Sequence, residues 1–429
     1  MVILNIDWLH YGLEGILLGA VLITLFIVQV WHYTWLGKRI CRYDITARHK
    51  QRQRQTETQT ESDGDNADTG DNTSADNSAN TDAAGSTNAA GVQSVPAVSI
   101  IVPLFTDDNS FLEEGLMRLL AQEYDDYEVV VVYVGMDCDF YDELMRMRLS
   151  FPVLRTTKIE ARPRYPITPK MALNIGVKSA RNPYIIITTA DAVPSSNLWL
   201  ANMARGFVYG DNVIGYCGIE RRKGLLNRMM RTERLLSSAE WLAAAAAHRP
   251  YRGHKCNLGF ARSLYFDVNG FGYLNMNVGE DDLFMQRIMS TDNTVVCISP
   301  EASVAEHLHG GAGVWFRRLR HDATTREFYP SDVRHALHIE PYSRLLFFLT
   351  AIIIFTVMPW EYCAAAALFV LARCIIVNIT AARIARCTGE KGIAATYLIY
   401  DLLSLPTAVI ARMVSRRKKE PSWRYTNIS

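Results

Sequence analysis

Hydrophobic and polar positions along this chain change period several times, and each change predicts a different element. The first apolar run, residues 12–35, is broken only by Glu14 and a few uncharged polar residues. It is long enough to cross a hydrocarbon core about 30 Å thick. From residue 56 to 91 large apolar side chains all but vanish, and Asp, Asn, Thr, Ser, Ala and Gly take over. Such a stretch cannot bury a core and is expected to be a disordered linker. Apolar patterning returns at Val98-Ser99-Ile100-Ile101-Val102-Pro103, a buried strand stopped by proline. Leu112, Leu116, Leu119 and Leu120 then fall at helical spacing, residues 128–134 form a second buried run, and residues 171–180 read as a helix. That helix leads into Ile185-Ile186-Ile187, a third buried strand expected to end at Pro194. The alternation predicts an α/β domain: a mostly parallel sheet with helices on both faces.

The apolar pattern changes again in the last hundred residues. The region 345–379 is divided by Pro359-Trp360-Glu361, which predicts a membrane hairpin of two short helices, and Arg383, Arg386 and Lys391 follow it. A third region, 393–414, contains Asp401 and Pro406 and runs into Arg416-Arg417-Lys418-Lys419. A full crossing would leave those charges outside, so an interfacial or re-entrant segment is expected. Lys38, Arg39, Arg42, Arg48, Lys50, Arg52 and Arg54 follow the first run and place what comes next in the cytoplasm. A signal peptide would want a basic start, whereas the chain opens Met1-Val2-Ile3-Leu4-Asn5-Ile6-Asp7. The organisation expected is a transmembrane anchor (1–45), an acidic linker (46–95), a folded domain (96–335) and a membrane region (336–429).

Composition alters this picture little. A chain of 429 residues has room for a sizeable core, and its net charge of +1 gives no sign of a nucleic-acid partner. The 8 cysteines include no CxxC pair, which suits a reducing compartment. The Asn72-Thr73-Ser74 sequon is expected to be meaningless in a cytoplasmic linker.

Candidate chemistry sits where the apolar runs stop. Asp191, in Thr189-Ala190-Asp191, follows the third buried strand, and open α/β sheets bind ligands at the carboxyl ends of their strands. Its carboxylate can ligate a hard divalent cation, or it can cap a helix near Ser195 and Ser196. The second acidic cluster, Glu280-Asp281-Asp282, reads either as a catalytic site or as a solvated helix start. Arg228, Arg231 and Arg234 lie at helical spacing on a helix predicted over 225–247, and their face reads as solvated, with membrane-surface contact as the alternative. His307, His309 and His321 read as loop histidines, and residues 253–260 as a surface turn or an acceptor-side loop.

Taken in order, Ser99-Ile100-Ile101-Val102-Pro103, Lys170-Met171-Ala172-Leu173-Asn174-Ile175-Gly176, Thr189-Ala190-Asp191 and Glu280-Asp281 resemble a family 2 glycosyltransferase with a GT-A fold, of the membrane-anchored bacterial type, over residues 97–321. The resemblance implies a nucleotide-sugar donor, a lipid-linked or glycan acceptor, a divalent cation (Mg²⁺ or Mn²⁺), and a multi-pass inner-membrane protein whose catalytic domain is cytoplasmic. It implies that Pro103 and the following loop to Asp107 line the nucleotide pocket, with Lys170 and Asn174 close by. The family's DxD motif falls on Thr189-Ala190-Asp191, with Asp191 as the metal ligand. Its ED motif falls on Glu280-Asp281, with Asp281 as general base and Asp282 as the fallback if the register shifts by one. Its QxxRW motif falls loosely on Arg317-Arg318-Leu319-Arg320-His321, where only Arg320 matches. The chain departs from the family where Thr189 replaces a carboxylate, and where Tyr133-Val134-Gly135-Met136 stands in place of an acidic turn, leaving Asp137 or Asp139 to substitute. Three readings stay open: an inverting transferase, a processive polysaccharide synthase, and a scaffold that has lost its donor site.

Overall fold

The computed structural model describes residues 12–46, 96–160, 167–272, 279, 281–308, 310–393 and 396–404. The expected linker therefore lies almost wholly outside the described residues, as do Glu280, His309 and the basic C-terminal run. Strands β1 (Val98–Leu104), β2 (Tyr127–Val134), β3 (Leu154–Ile159), β4 (Tyr184–Ile187), β6 (Asn212–Gly215), β8 (Leu258–Ala261) and β9 (Thr294–Cys297) form one sheet in the order β3-β2-β1-β4-β8-β6-β9. Its first four strands are parallel neighbours, β8 runs antiparallel to β4 and β6, and β9 is parallel to β6. A smaller sheet holds β5 (Ala192–Pro194), β10 (Val304–Glu306) and β7 (Cys217–Ile219) in the order β5-β10-β7.

The chemistry of β1 explains where the sheet opens. Pairing with β4 ends at Ile101↔Ile187, while pairing with β2 continues to Leu104↔Tyr133. Pro103, which has no N–H to give, therefore stands beyond the end of β4 and spoils no ladder bond there. One correction follows. The third buried strand ends at Ile187; Pro194 does not stop it but belongs to β5 of the smaller sheet, and Asp191 lies in the turn between them.

Among the described residues three helices are long and apolar enough to cross a membrane, spanning Glu14–Cys41, Ser331–Val357 and Trp360–Cys387. The hairpin expected to be short is made of helices of 27 and 28 residues, and the first begins inside the range assigned to the folded domain. Nor is the N-terminal helix, α1 (Gly12–Cys41), a separate anchor. Its Tyr33, Leu36 and Ile40 are buried in the main core with Ile101, Ile185, Trp241, Phe260 and Val377. Between the long helices Arg373, fully buried, donates to Gln29 Oε1 at 2.8 Å and to Asp401, which also accepts from Arg344 at 3.2 Å. Tyr33 donates to Glu340 Oε1 at 2.8 Å. The two arginines are thus balanced by two carboxylates, the arrangement that makes buried charge tolerable.

Candidate active site

The turn after β4 is built by backbone bonds. Thr188 N donates to Ile101 O at 3.1 Å, and Ala192 N donates to Thr189 O at 3.0 Å. This leaves Asp191 exposed at the carboxyl end of the central strands. β10 pairs antiparallel with β5, Glu306 opposite Ala192, so the next residue, His307, meets Asp191; its N–H donates to Asp191 O at 2.6 Å. Asp191, His307, Asp108, Glu114, Thr106 and Ser110 line one polar pocket there. Carboxylates and an imidazole are ligand types that suit a hard or borderline divalent cation, although among the described residues the side chains drawn together at ligand distance are Cys217, His254 and Cys256, not these. The sequence reading set His307 aside as a loop histidine because His307, His309 and His321 show no ligand spacing; its meeting with Asp191 is set by strand pairing far away in sequence.

The departure at Tyr133 has a structural answer. Its hydroxyl, at the end of β2, donates to Asp107 Oδ1. Burial and then Asp107 push the phenol well above its ordinary range, so it remains a donor. Asp137 is occupied otherwise: it caps the next helix, Cys138–Ser150, accepting from Asp139 N at 2.9 Å and Phe140 N at 3.1 Å. Asp107, exposed on the loop after β1, is thus the carboxylate held at the end of β2. Lys170 and Asn174 lie on the helix Pro169–Ser179, which Thr168 caps; Asn174 Oδ1 accepts from Tyr265 at 2.6 Å.

The second acidic cluster divides in two. Asp282 is the N-cap of the helix Leu283–Ile288; its carboxylate accepts from Leu283 N at 2.6 Å and Tyr329 OH at 2.8 Å and is buried. Asp281, also buried, has Arg252 Nη2 at 3.8 Å from Oδ2; the same guanidinium donates to Asp322 at 2.9 Å.

The arginine helices are placed differently from the sequence reading. On Ala312–Thr325, Arg317 is exposed and Arg320 half-buried; His321 is on the same helix. It is Arg318 that reaches inward, forming a bidentate pair with Glu306. On Leu225–Ala246, the face read as solvated is largely enclosed: Arg231 pairs with Glu390, and Arg234 with Glu306 at 3.4 Å. Only Arg228 of the three is exposed. Burial opposes ionisation of Glu306, but Arg318 and Arg234 outweigh it and hold the carboxyl far below its usual range. Cys217, His254 and Cys256 lie beside this knot, with ligand atoms within 4.8 Å of one another. They fit a soft metal poorly, because His254 Nε2 is 2.7 Å from Arg234 and Nδ1 accepts from Cys256 N at 3.3 Å. Cys256 also holds Thr189 Oγ1 at 3.2 Å, which turns the first position of Thr189-Ala190-Asp191 toward the protein.

No family model and no curated protein matches the chain. Among solved structures it is similar to a mannosyltransferase from Pyrobaculum calidifontis in complex with GDP-Man and Mn²⁺, at 20% identity and a TM-score of 0.49, over 76% of this chain and 88% of that one. It is also similar to S. aureus TarS 1–349 in complex with UDP-GlcNAc, at 16% identity and a TM-score of 0.38, over 77% of this chain and 94% of that one.

Proposed function

We propose that this chain is an inverting glycosyltransferase that moves a sugar from a nucleotide-sugar donor to a lipid-linked or glycan acceptor at the cytoplasmic face of a membrane. The observation that carries the reading is the polar pocket at the carboxyl end of the central strands, where Asp191 and His307 meet across β5 and β10 beside Asp108 and Glu114. Asp191 and His307 would hold a divalent cation, which when bound supplies charge neutralisation for a leaving diphosphate. Asp107, fixed by Tyr133, faces the nucleotide with Pro103, and Lys170, Asn174 and Arg320 are its further contacts. Asp281 takes the proton of the acceptor hydroxyl. The acceptor oxygen bonds to the anomeric carbon as the bond from that carbon to the diphosphate breaks, and a single displacement inverts the centre. Asp282 sustains the loop from within. The basic residues that follow α1 support the cytoplasmic placement.

The test is donor binding by calorimetry on the full-length protein, across several nucleotide sugars, with and without Mn²⁺, followed by turnover. The unmodified protein is expected to bind one donor class in a metal-dependent way. Asp191→Ala should weaken that binding and remove its dependence on Mn²⁺. Asp281→Asn should leave binding nearly intact and lower turnover by roughly 10²–10⁴-fold. If the unmodified protein binds no donor under either condition, the scaffold reading replaces this one.

A further inference from the structure

A surface patch beside the long helices has chemistry that the transfer reaction does not use. Between β7 and the helix Leu225–Ala246 the chain reads Glu220-Arg221-Arg222-Lys223-Gly224-Leu225-Leu226-Asn227-Arg228. Arg221, Arg222, Lys223 and Arg228 are all exposed. Arg222 is spoken for by Glu220 at 2.7 Å, which leaves three cations at the surface. Among them Leu225 is 52% exposed and Leu226 36%. Gly224, with a φ of +113°, turns the chain between the cations and the leucines, a conformation that favours glycine. Leucines held in water next to cations are unfavourable for a wholly solvated turn, and this pairing is the signature of an interfacial segment.

The surroundings say what covers it. The Arg221 guanidinium lies against Gly392, just past the long helix Trp360–Cys387. Arg231 donates to Lys391 O at 3.0 Å, and Tyr216 to Glu390 at 3.0 Å, so the flanks of this loop are bolted to the turn where the helix ends. One turn into the Leu225 helix, Met229 and Met230 belong to a small core against which Tyr400 packs. The segment carrying Tyr400 exposes Leu398, Ile399, Leu402 and Leu403, the last three to 41%, 62% and 44%. Exposed apolar side chains thus stand both on the patch and on the segment whose Tyr400 packs against the start of the same helix.

We propose that residues 221–228 dock on the anionic headgroups of the bilayer, with Leu225 and Leu226 entering the headgroup boundary and Arg221, Lys223 and Arg228 binding lipid phosphates. The inference rests on the membrane placement above and is independent of the glycosyl-transfer reading. Loop 221–228 also joins the site: Arg222 donates to Leu308 O at 3.3 Å, next to His307. Headgroup contact would therefore hold the site's edge at a fixed height over the membrane.

The test places the photoreactive residue p-benzoylphenylalanine at Leu225 in the full-length protein, reconstituted in bilayers containing phosphatidylglycerol or in pure phosphatidylcholine. Ile16, 63% exposed on α1, and Leu149, 87% exposed on the helix Cys138–Ser150, are the embedded and solvent controls. After irradiation, phospholipid attached to each position is measured by mass spectrometry. Leu225 is expected to capture lipid well above Leu149. Capture at Leu225 should fall several-fold in phosphatidylcholine and in the Arg221→Glu, Lys223→Glu, Arg228→Glu variant, with Ile16 unchanged. Capture at Leu225 no higher than at Leu149, capture of protein instead of lipid, or capture indifferent to both headgroup and charge reversal would each overturn the proposal. No lipid at Ile16 or Leu225 would overturn the membrane placement along with it.

Discussion

His254 sits among more positive charge than an imidazole tolerates in its protonated form. Burial, then Arg234, holds its pKa well below the ordinary 6.5. In the unfolded chain it would protonate near that value, so below it the unfolded state binds the extra proton. The stability His254 contributes is therefore complete above pH 6.5 and lost as the pH falls toward the folded value, by up to about 1.4 kcal/mol per pH unit. Glu306 behaves in the opposite range. Its carboxyl is depressed, so its contribution is present above the ordinary 4.5 and disappears only in strong acid. Unfolding midpoints followed from pH 8 to 5 should thus fall in the native protein, and His254→Asn should flatten that slope whatever it does to the absolute value. An unchanged slope would show that the ring titrates alike in the folded and unfolded states, so that its burial beside Arg234 does not depress its pKa. These residues were invisible in the sequence for a physical reason: their charge partners come from β10 and two helices, and nothing local links them. The position of Asp191 was legible, because three isoleucines in a row read as a buried strand and Asp191 follows a few residues beyond its end.

Among elements, the short helix Leu283–Ile288 and its cap decide how the second acidic cluster should be read. Asp282→Ala removes the cap, about 1 kcal/mol, and leaves Tyr329 OH buried without its acceptor, roughly 1–3 kcal/mol more. Tyr329→Phe removes the partner and leaves the cap intact, so it should cost less. Both variants are expected to lower the thermal midpoint, Asp282→Ala more, while metal-dependent donor binding survives. Loss of turnover from Asp282→Ala with an unchanged midpoint would instead make Asp282 the reacting carboxylate. The long buried strands could be read from the sequence because continuous apolar runs need no partner to be recognised. The smaller sheet could not: β5, β7 and β10 are three residues each, too short to show a period, and they exist only through their pairing. The arginines of the helix Leu225–Ala246 misled for the same reason, since Glu390 and Glu306 lie far along the chain.

For the molecule as a whole, the boundary at residue 96 that composition suggested is not a boundary of packing. α1 brings Tyr33, Leu36 and Ile40, each at most 3% exposed, into the core that also holds the central strands. A fully buried side chain of this size contributes about 1.5–3 kcal/mol, and three of them are a large part of a domain's net stability. A chain beginning at residue 96 is therefore expected to aggregate or to elute as a broad, non-monodisperse species in size-exclusion chromatography, in detergent as well as in buffer. A sharp monomer that unfolds cooperatively would show that the core closes without α1.

The same packing changes what residues 47–95 amount to. Before them, Tyr43 OH accepts from Val296 N at 3.2 Å, and Ile45 rests on the second core. After them, Val98 N donates to Asp126 O at 3.1 Å as β1 begins. Both flanks are fastened to one body, so the described parts on either side are held together by their own packing, whatever joins them. Shortening the connection is then expected to change stability only by a loop-closure entropy, which grows with the logarithm of residue number. Removing dozens of residues here is then expected to leave the packing of α1 against the central strands, and with it the orientation of the site, unchanged.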